Sequence, residues 1–160
     1  MPSKTNPDSL GFLLSETSRL VRTGFERRVS RIGLDITAGE ARALIHVAAI
    51  EGARQTAIAE RMGVEPMTVC AYLDRLEKIG LVSRQPDPLD RRAKNVRTTD
   101  AADAIIAAIR RETTALFDQI QEGLDPDQRA ALLSMLKILR ANLFDVLSDN
   151  TEAPVESVPA

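Results

Sequence analysis

Two short helical segments, punctuated by glycine and followed by a pair of short strands, constrain this chain more than any other feature. Residues 56–62 fit one helix that Gly63 closes, although Arg54 is a poor N-terminal cap for it. Residues 66–79 fit a second helix that begins at Pro66, a residue favoured in the first turn, and stops at Gly80. Residues 81–84 and 94–98 then fit two strands, because turn-forming proline and aspartate residues separate them. The order predicts a helix–turn–helix with a β-hairpin attached.

The second of these helices has a face suited to reading DNA. At about 100° per residue, its inward stripe consists of Val69, Leu73, Leu76 and Gly80. The opposite side carries Thr68 and Arg75 as polar candidates for base contacts, with Met67 and Ala71 placed to pack on thymine methyl groups. A helix with such a solvent-facing N-terminal half can enter the major groove. The alternative is an ordinary surface helix with a solvated polar face.

The hairpin loop is basic at its tip, where Arg91, Arg92 and Lys94 cluster. An arginine on a thin projection can enter the minor groove, where the potential is most negative. Asp90 lies two residues before Arg92, and we expect its carboxylate to orient the Arg92 guanidinium through a charge-assisted hydrogen bond. Helix–turn–helix and basic hairpin together predict a winged helix-turn-helix. The alternative for the loop is a solvated run of charge.

The charge distribution favours a focused basic patch. The chain of 160 residues has a net charge of −2, yet residues 52–98 contain nine basic and six acidic residues, a net +3. Arg84, in the first predicted strand, is one of these basic residues and is included among the candidates for DNA contact. Aromatic residues make up only 3% of the chain, which disfavours stacking on single-stranded nucleic acid.

The stretches LDRLEKIGLVSRQ (73–85) and DRRAKNVRTT (90–99) resemble the MarR family of winged-helix transcriptional regulators, and the SlyA-like branch in particular. The resemblance spans about residues 10–147. It implies a homodimer on a palindromic operator, with Arg92 as the minor-groove arginine and Asp90 as its orienting carboxylate. It also implies that Thr68 touches DNA and that Gln55 and Thr56 contact phosphates.

Two positions depart from the family pattern. Ala71 stands where SlyA-like members often carry arginine, which removes one candidate base contact. Thr98 replaces the usual leucine of the Leu-Thr pair after the wing. The operator sequence therefore stays open. We expect a repressor, and the sequence itself leaves activation open as the alternative.

The remaining segments predict helices that surround this unit. Helical patterns cover about 10–32, 37–50, 100–122 and 125–147, and Thr37 with Glu40 forms a capping box before the apolar second helix. Leucines recur at three- and four-residue spacing in the last helix, which predicts more apolar surface than a monomer normally exposes. We expect dimerisation helices over 10–36 and 100–147, a DNA-binding domain over 37–99, and a disordered tail over 148–160. Packing within one subunit is the alternative.

The resemblance also motivates the hypothesis of a small anionic or phenolic effector. Arg19 and Arg22 lie beside apolar residues of the first helix and could accept a carboxylate, although a solvated face explains them more simply. His46 is a candidate pocket wall or a hydrogen-bonded core histidine. Cys70, the single cysteine, fits a small structural residue better than a redox switch because no resolving partner exists.

Other classes of protein are disfavoured. The sequence shows no Gly-rich phosphate loop, no nucleophile with its base and no cluster of histidine and cysteine, so we expect no enzyme, cofactor or metal. No apolar run reaches the length of a membrane span and no signal peptide opens the chain, so we expect a cytoplasmic protein. The alternative function is a helical protein-interaction module, such as an anti-repressor, that does not bind DNA.

Overall fold

The computed structural model describes residues 6–90 and 92–149. The chain divides into two compact units, residues 1–117 and 118–160. Arg91 and the greater part of the predicted tail, residues 150–160, lie outside the described residues. Ser148 and Asp149 belong to the last helix, so that helix continues two residues beyond its predicted end.

Six α-helices and three short strands make up the described residues. In chain order they are α1 (Leu10–Arg31), α2 (Ala38–Ala49), β1 (Ala53–Arg54), α3 (Gln55–Met62), α4 (Pro66–Lys78), β2 (Val82–Pro86), β3 (Lys94–Thr98), a 3₁₀ turn (Asp100–Ala102), α5 (Asp103–Ile120) and α6 (Pro126–Asp149). A mainly helical chain with a small β wing is the predicted fold class, which is confirmed.

Helix α2 is the centre of the first unit. The predicted capping box is present at its start, because Thr37 Oγ1 accepts from the Glu40 amide at 3.2 Å and Glu40 Oε2 accepts from the Thr37 amide at 2.7 Å. Ala41, Leu44 and Val47 are fully buried. Helices α1, α3 and α4 and strand β3 all pack against α2, as the apolar character of its sequence predicts.

Two glycines allow neighbouring helices to come close. A Cβ added at Gly39 in α2 would lie 2.5 Å from the Tyr72 ring of α4. A Cβ added at Gly24 in α1 would lie 3.1 Å from a Leu116 methyl group of α5. Near the second approach, Arg28 Nη1 donates to Glu112 Oε2 at 3.2 Å. The close contact between α2 and α4 sets the position of the second helix of the helix–turn–helix.

The sheet has three antiparallel strands in the order β1-β3-β2. The predicted hairpin is present, with Val82 opposite Thr98 and Pro86 opposite Lys94. Strand β1 was not predicted, since two residues are too few to show strand periodicity. Because β1 ends directly before α3, it joins the start of the helix–turn–helix to the hairpin.

The second unit contains the last residues of α5, a turn at 121–125 and α6. Asp125 Oδ1 accepts from the Gln128 amide at 2.9 Å, and Gln128 Oε1 accepts from the Asp125 amide at 2.9 Å. This reciprocal pair confirms the predicted cap of the last helix. Within the single chain the large apolar side chains of α6 are mostly exposed, including Leu133, Leu143 and Phe144.

The Gly39→Ala substitution should lower the stability of the protein by about 1–3 kcal/mol, because the new methyl group overlaps the Tyr72 ring. Urea unfolding measures the change. The control is Glu60→Ala, which changes an exposed position of α3 outside this contact and should alter stability by no more than about 0.5 kcal/mol. Equal effects of the two substitutions would show that the α2–α4 contact tolerates a side chain.

Candidate nucleic-acid interface

Helix α4 presents its predicted faces. Val69, Leu73 and Leu76 are fully buried, which confirms the inward stripe at these positions. The fourth predicted member, Gly80, is exposed, because α4 ends at Lys78 and Gly80 adopts a positive φ of 78° beyond it. On the opposite side lie the four residues that we call the reading face: Met67, Thr68, Ala71 and Arg75. All four are exposed, and Met67 reaches 79%. The N-terminal half of this helix therefore presents apolar and polar side chains to solvent together.

Arg75 makes a loose ion pair on this face. Its Nη2 lies 3.6 Å from Asp35 Oδ2, and the Asp35 side chain is almost wholly in solvent. An exposed pair of this kind contributes little to stability, so the guanidinium is free to exchange its partner for a base or a phosphate.

Arg84 does not behave as predicted. Its side chain is only 10% exposed, because the guanidinium is enclosed between β2 and α4. Nη1 pairs with Asp74 and lies 3.4 Å from Glu77 Oε2, while Nη2 donates to the Cys70 carbonyl at 3.2 Å. The structure therefore contradicts Arg84 as a DNA contact and assigns it to the attachment of β2 to α4. Sequence spacing could not reveal this, since the partners lie seven to fourteen residues away on another element.

The same arrangement changes the charge at the interface. The hydrogen bond from Arg84 holds the pKa of the Asp74 carboxyl below its usual range. Asp74 is exposed beside the reading face, where a bare carboxylate would repel phosphates. Pairing with Arg84 compensates that charge locally.

We use the term wing for β2, β3 and the intervening loop 87–93. Arg92 and Lys94 are exposed on it, as predicted. Asp90 is placed beside Arg92, but its Oδ1 accepts from the backbone amide of Arg92 at 3.0 Å and not from the guanidinium. The predicted bond from the Arg92 guanidinium to Asp90 is therefore wrong, because the donor is the Arg92 amide. A short aspartate side chain reaches the amide two residues further along the chain more easily than it reaches the end of a long side chain.

The base of the loop depends on two residues that the sequence reasoning missed. Asp87 is buried, and its Oδ2 accepts from Arg54 Nε of β1 at 2.8 Å. This hydrogen bond holds the pKa of the Asp87 carboxyl below its usual range and raises that of the Arg54 guanidinium. The one available signal was Arg54 itself, which occupies a position where a capping residue is favoured.

The start of α3 is placed next to this pair. Gln55 is half-buried and Thr56 is exposed at the first turn, while Ile58, Ala59 and Met62 of the same helix are buried. Arg54 at the N-cap makes no side-chain capping bond. The first amides of α3 are thus open to an acceptor from outside the helix.

The three candidate effector residues occupy two helices. Arg19 and Arg22 are exposed on α1, and Arg19 Nη2 lies 3.7 Å from Glu16 Oε1. His46 is half-buried on α2, where desolvation first, and then Arg42 and Arg61, lower the pKa of its imidazole. Within the described part of the chain, no hydrogen bond or ion pair brings these three residues together.

Over 6–90 and 92–149, no group of three or more His, Cys, Asp or Glu side chains is placed to hold a metal ion. No helix in the same ranges is long and apolar enough to cross a membrane.

An outward-facing second helix, a short first helix that packs against it and a wing beside both define a winged helix-turn-helix protein. Comparison with known proteins agrees. The model of the MarR family matches residues 36–94. The transcriptional regulator PA3341 is 34% identical, with a TM-score of 0.74 over 86% of this chain and 99% of that one.

Two other solved structures are similar. The transcriptional repressor CouR, bound to a 23-mer DNA duplex, is 31% identical, with a TM-score of 0.67 over 86% of this chain and 99% of that one. A MarR-family regulator from Rhodococcus sp. RHA1 is 26% identical, with a TM-score of 0.72 over 89% and 98%. This chain belongs to the MarR family and is a DNA-binding transcriptional regulator. The family comprises regulators, which confirms the prediction that the chain is not an enzyme.

Arg84→Met should lower the midpoint of thermal unfolding by about 2–8 °C, because Asp74, Glu77 and the Cys70 carbonyl lose their shared donor. Calorimetry measures the shift. Arg75→Met, which removes an exposed guanidinium from the same helix, should leave the midpoint almost unchanged. An unchanged midpoint for Arg84→Met, with a shallower salt dependence of DNA binding, would return Arg84 to the DNA contacts.

Proposed function

We propose that this protein binds a palindromic operator in duplex DNA as a homodimer and represses transcription there. The observation that carries the proposal is the joint exposure of the reading face and of the basic residues of the wing, on elements fixed by a common core. A helix can read the major groove while a neighbouring hairpin reaches the minor groove. The repressor CouR, which is similar over most of its length, is bound to a DNA duplex.

The candidate DNA contacts divide by chemistry into three groups. Thr68 and Arg75 reach base edges, and Met67 and Ala71 provide apolar contacts to thymine methyl groups. Arg92, with Arg91 and Lys94, enters the flanking minor groove. Gln55 and Thr56 at the start of α3 contact a phosphate. Asp90 stabilises the loop through its bond to the Arg92 amide and does not itself touch DNA.

The homodimer is supported by apolar surface that the single chain leaves in water. In α1 the exposed side chains include Leu10, Phe12 and Leu20, and in α6 they include Leu143 and Leu147. Soluble monomers rarely expose so many large apolar residues on long helices. We therefore assign dimerisation to 10–36 and 100–147 and DNA binding to 37–99, with each half-site read by one subunit.

A small anionic or phenolic effector is the second part of the proposal. Arg19 and Arg22 are exposed cations next to apolar side chains, and desolvation lowers the pKa of the His46 imidazole, which favours its neutral form. A ligand regulates DNA binding only if it has different affinities for two conformations. Operator affinity should therefore change across a panel of aromatic carboxylates, measured by fluorescence anisotropy; unchanged affinity would remove the effector from the proposal.

Selection of bound duplexes from a random pool should yield a two-fold symmetric site that takes up two chains, as measured by light scattering. On that duplex, Arg92→Ala should cost about 1–3 kcal/mol of binding free energy, because a buried guanidinium contact is lost. Its thermal midpoint should stay unchanged, since Arg92 is exposed.

The matched control is Arg111→Ala, which removes an exposed arginine from α5. It should leave affinity for the selected duplex nearly unchanged. If no duplex is enriched, the protein-interaction module is favoured. Salt dependence is the second test: each phosphate contact gives the DNA affinity a log–log salt slope of about −0.9, so an affinity for DNA that does not change with salt would also favour that module.

A further inference from the structure

The loop of the wing is tied to the helix–turn–helix at one carboxylate. Asp87 Oδ2 accepts from Arg54 Nε at 2.8 Å, and its Oδ1 accepts from the amides of Leu89 at 2.8 Å and Asp90 at 3.2 Å. The Asp87 amide donates to the Ala93 carbonyl at 3.0 Å, which closes the base of the loop. Asp87 is thus the common acceptor for β1 and for both backbone amides.

The loop lacks an apolar core that could order it by packing. Leu89, its one large apolar residue, is 92% exposed, and Arg92 is exposed as well. Order in such a segment must come from hydrogen bonds to the backbone. Three such bonds follow one another along the loop. Asp87 accepts from the Arg54 guanidinium and from the Asp90 amide, and Asp90 accepts from the Arg92 amide.

We propose that Arg54 is a positioning residue for DNA binding, which holds Asp87 and thereby sets the wing loop relative to the start of α3. The inference rests on the proposed contact between the wing and DNA. Gln55, next to Arg54, begins α3, so one backbone junction carries both the phosphate-facing turn of α3 and the anchor of the wing. The spacing of these two contacts on the duplex then depends on the Arg54–Asp87 pair.

Arg54 stabilises the start of α3 less than a capping residue would, which supports a role away from this helix. As the N-cap of α3 it makes no side-chain capping bond, whereas a serine or threonine there would satisfy a free amide. Its guanidinium instead bonds a residue 33 positions away. Local helix stability is given up for an attachment between two elements.

The alternative explanation is a direct contact between Arg54 and a phosphate. The direction in which Asp87→Asn changes the DNA affinity distinguishes the two explanations. Asp87→Asn removes a negative charge near DNA and weakens the acceptor for Arg54. If charge alone matters, the variant binds DNA more tightly. If positioning matters, it binds more weakly despite its more favourable charge.

The experiment compares Arg54→Thr, Asp87→Asn and the double variant on the duplex selected with the wild-type protein. Each single variant should bind about twofold to thirtyfold more weakly. The double variant should be no weaker than the weaker single variant, since both remove the same bond. Arg54→Thr loses the ion pair with the buried Asp87 but gains a cap for α3, so its thermal midpoint should fall less than that of Arg84→Met and the protein should stay folded in the binding assay.

Hydrogen exchange of the free protein provides the structural readout. Arg54→Thr should increase exchange at the Leu89 and Asp90 amides while leaving the amides of α4 unchanged. The matched control is Arg97→Thr on β3, an exposed arginine whose partner Glu51 lies 4.0 Å away. It removes the same charge from the end of β3 that lies away from the loop, and it measures the general loss of affinity that a missing positive charge causes, which Arg54→Thr should exceed.

Three results would overturn the inference: tighter binding by Asp87→Asn, additive effects in the double variant, or a salt slope reduced by about one in Arg54→Thr, which marks a lost phosphate contact. Each leaves the proposed function standing, because the wild-type protein still binds its duplex. Absence of duplex binding by the wild-type protein would instead reject the proposed function.

Discussion

The packing around α2 is the constraint on which the rest of the structure depends. Its buried residues include the small Ala41 and Ala43, which allow α1, α3, α4 and β3 to approach one helix closely. The direction of α4 follows from this packing, since Tyr72 lies against Gly39 and the apolar stripe of α4 is buried in the same core as α2. The reading face is exposed because the opposite face is held against α2.

Internal ion pairs then decide which charges of the basic segment are available to DNA. Arg84 is enclosed by Asp74 and Glu77, and Arg54 is held by Asp87. Both arginines join one element to another, whereas Arg92 and Lys94 extend from the wing into solvent. Counting charge along the sequence overstates the cationic surface, because it does not separate arginines held in internal ion pairs from cations that lie in solvent.

Much of the fold and the reading face could be predicted because the signals are local. The capping boxes at Thr37 and Asp125, and the stripe of Val69, Leu73 and Leu76, depend on residues three or four apart. The incorrect or missing predictions concern features that have no clear local pattern. Strand β1 is too short to show a pattern, Arg84 was assigned to DNA, and Asp90 was expected to bind a side chain but binds an amide.

The sequence by itself determined the order of the helices, their ends to within a few residues and which face of α4 is apolar, because caps and periodicity act within one turn of the chain. Only the tertiary structure decided which arginines remain free and how the wing is attached. A guanidinium at the end of a flexible side chain can pair with any carboxylate that packing brings within reach, and that choice depends on contacts between residues far apart in the chain.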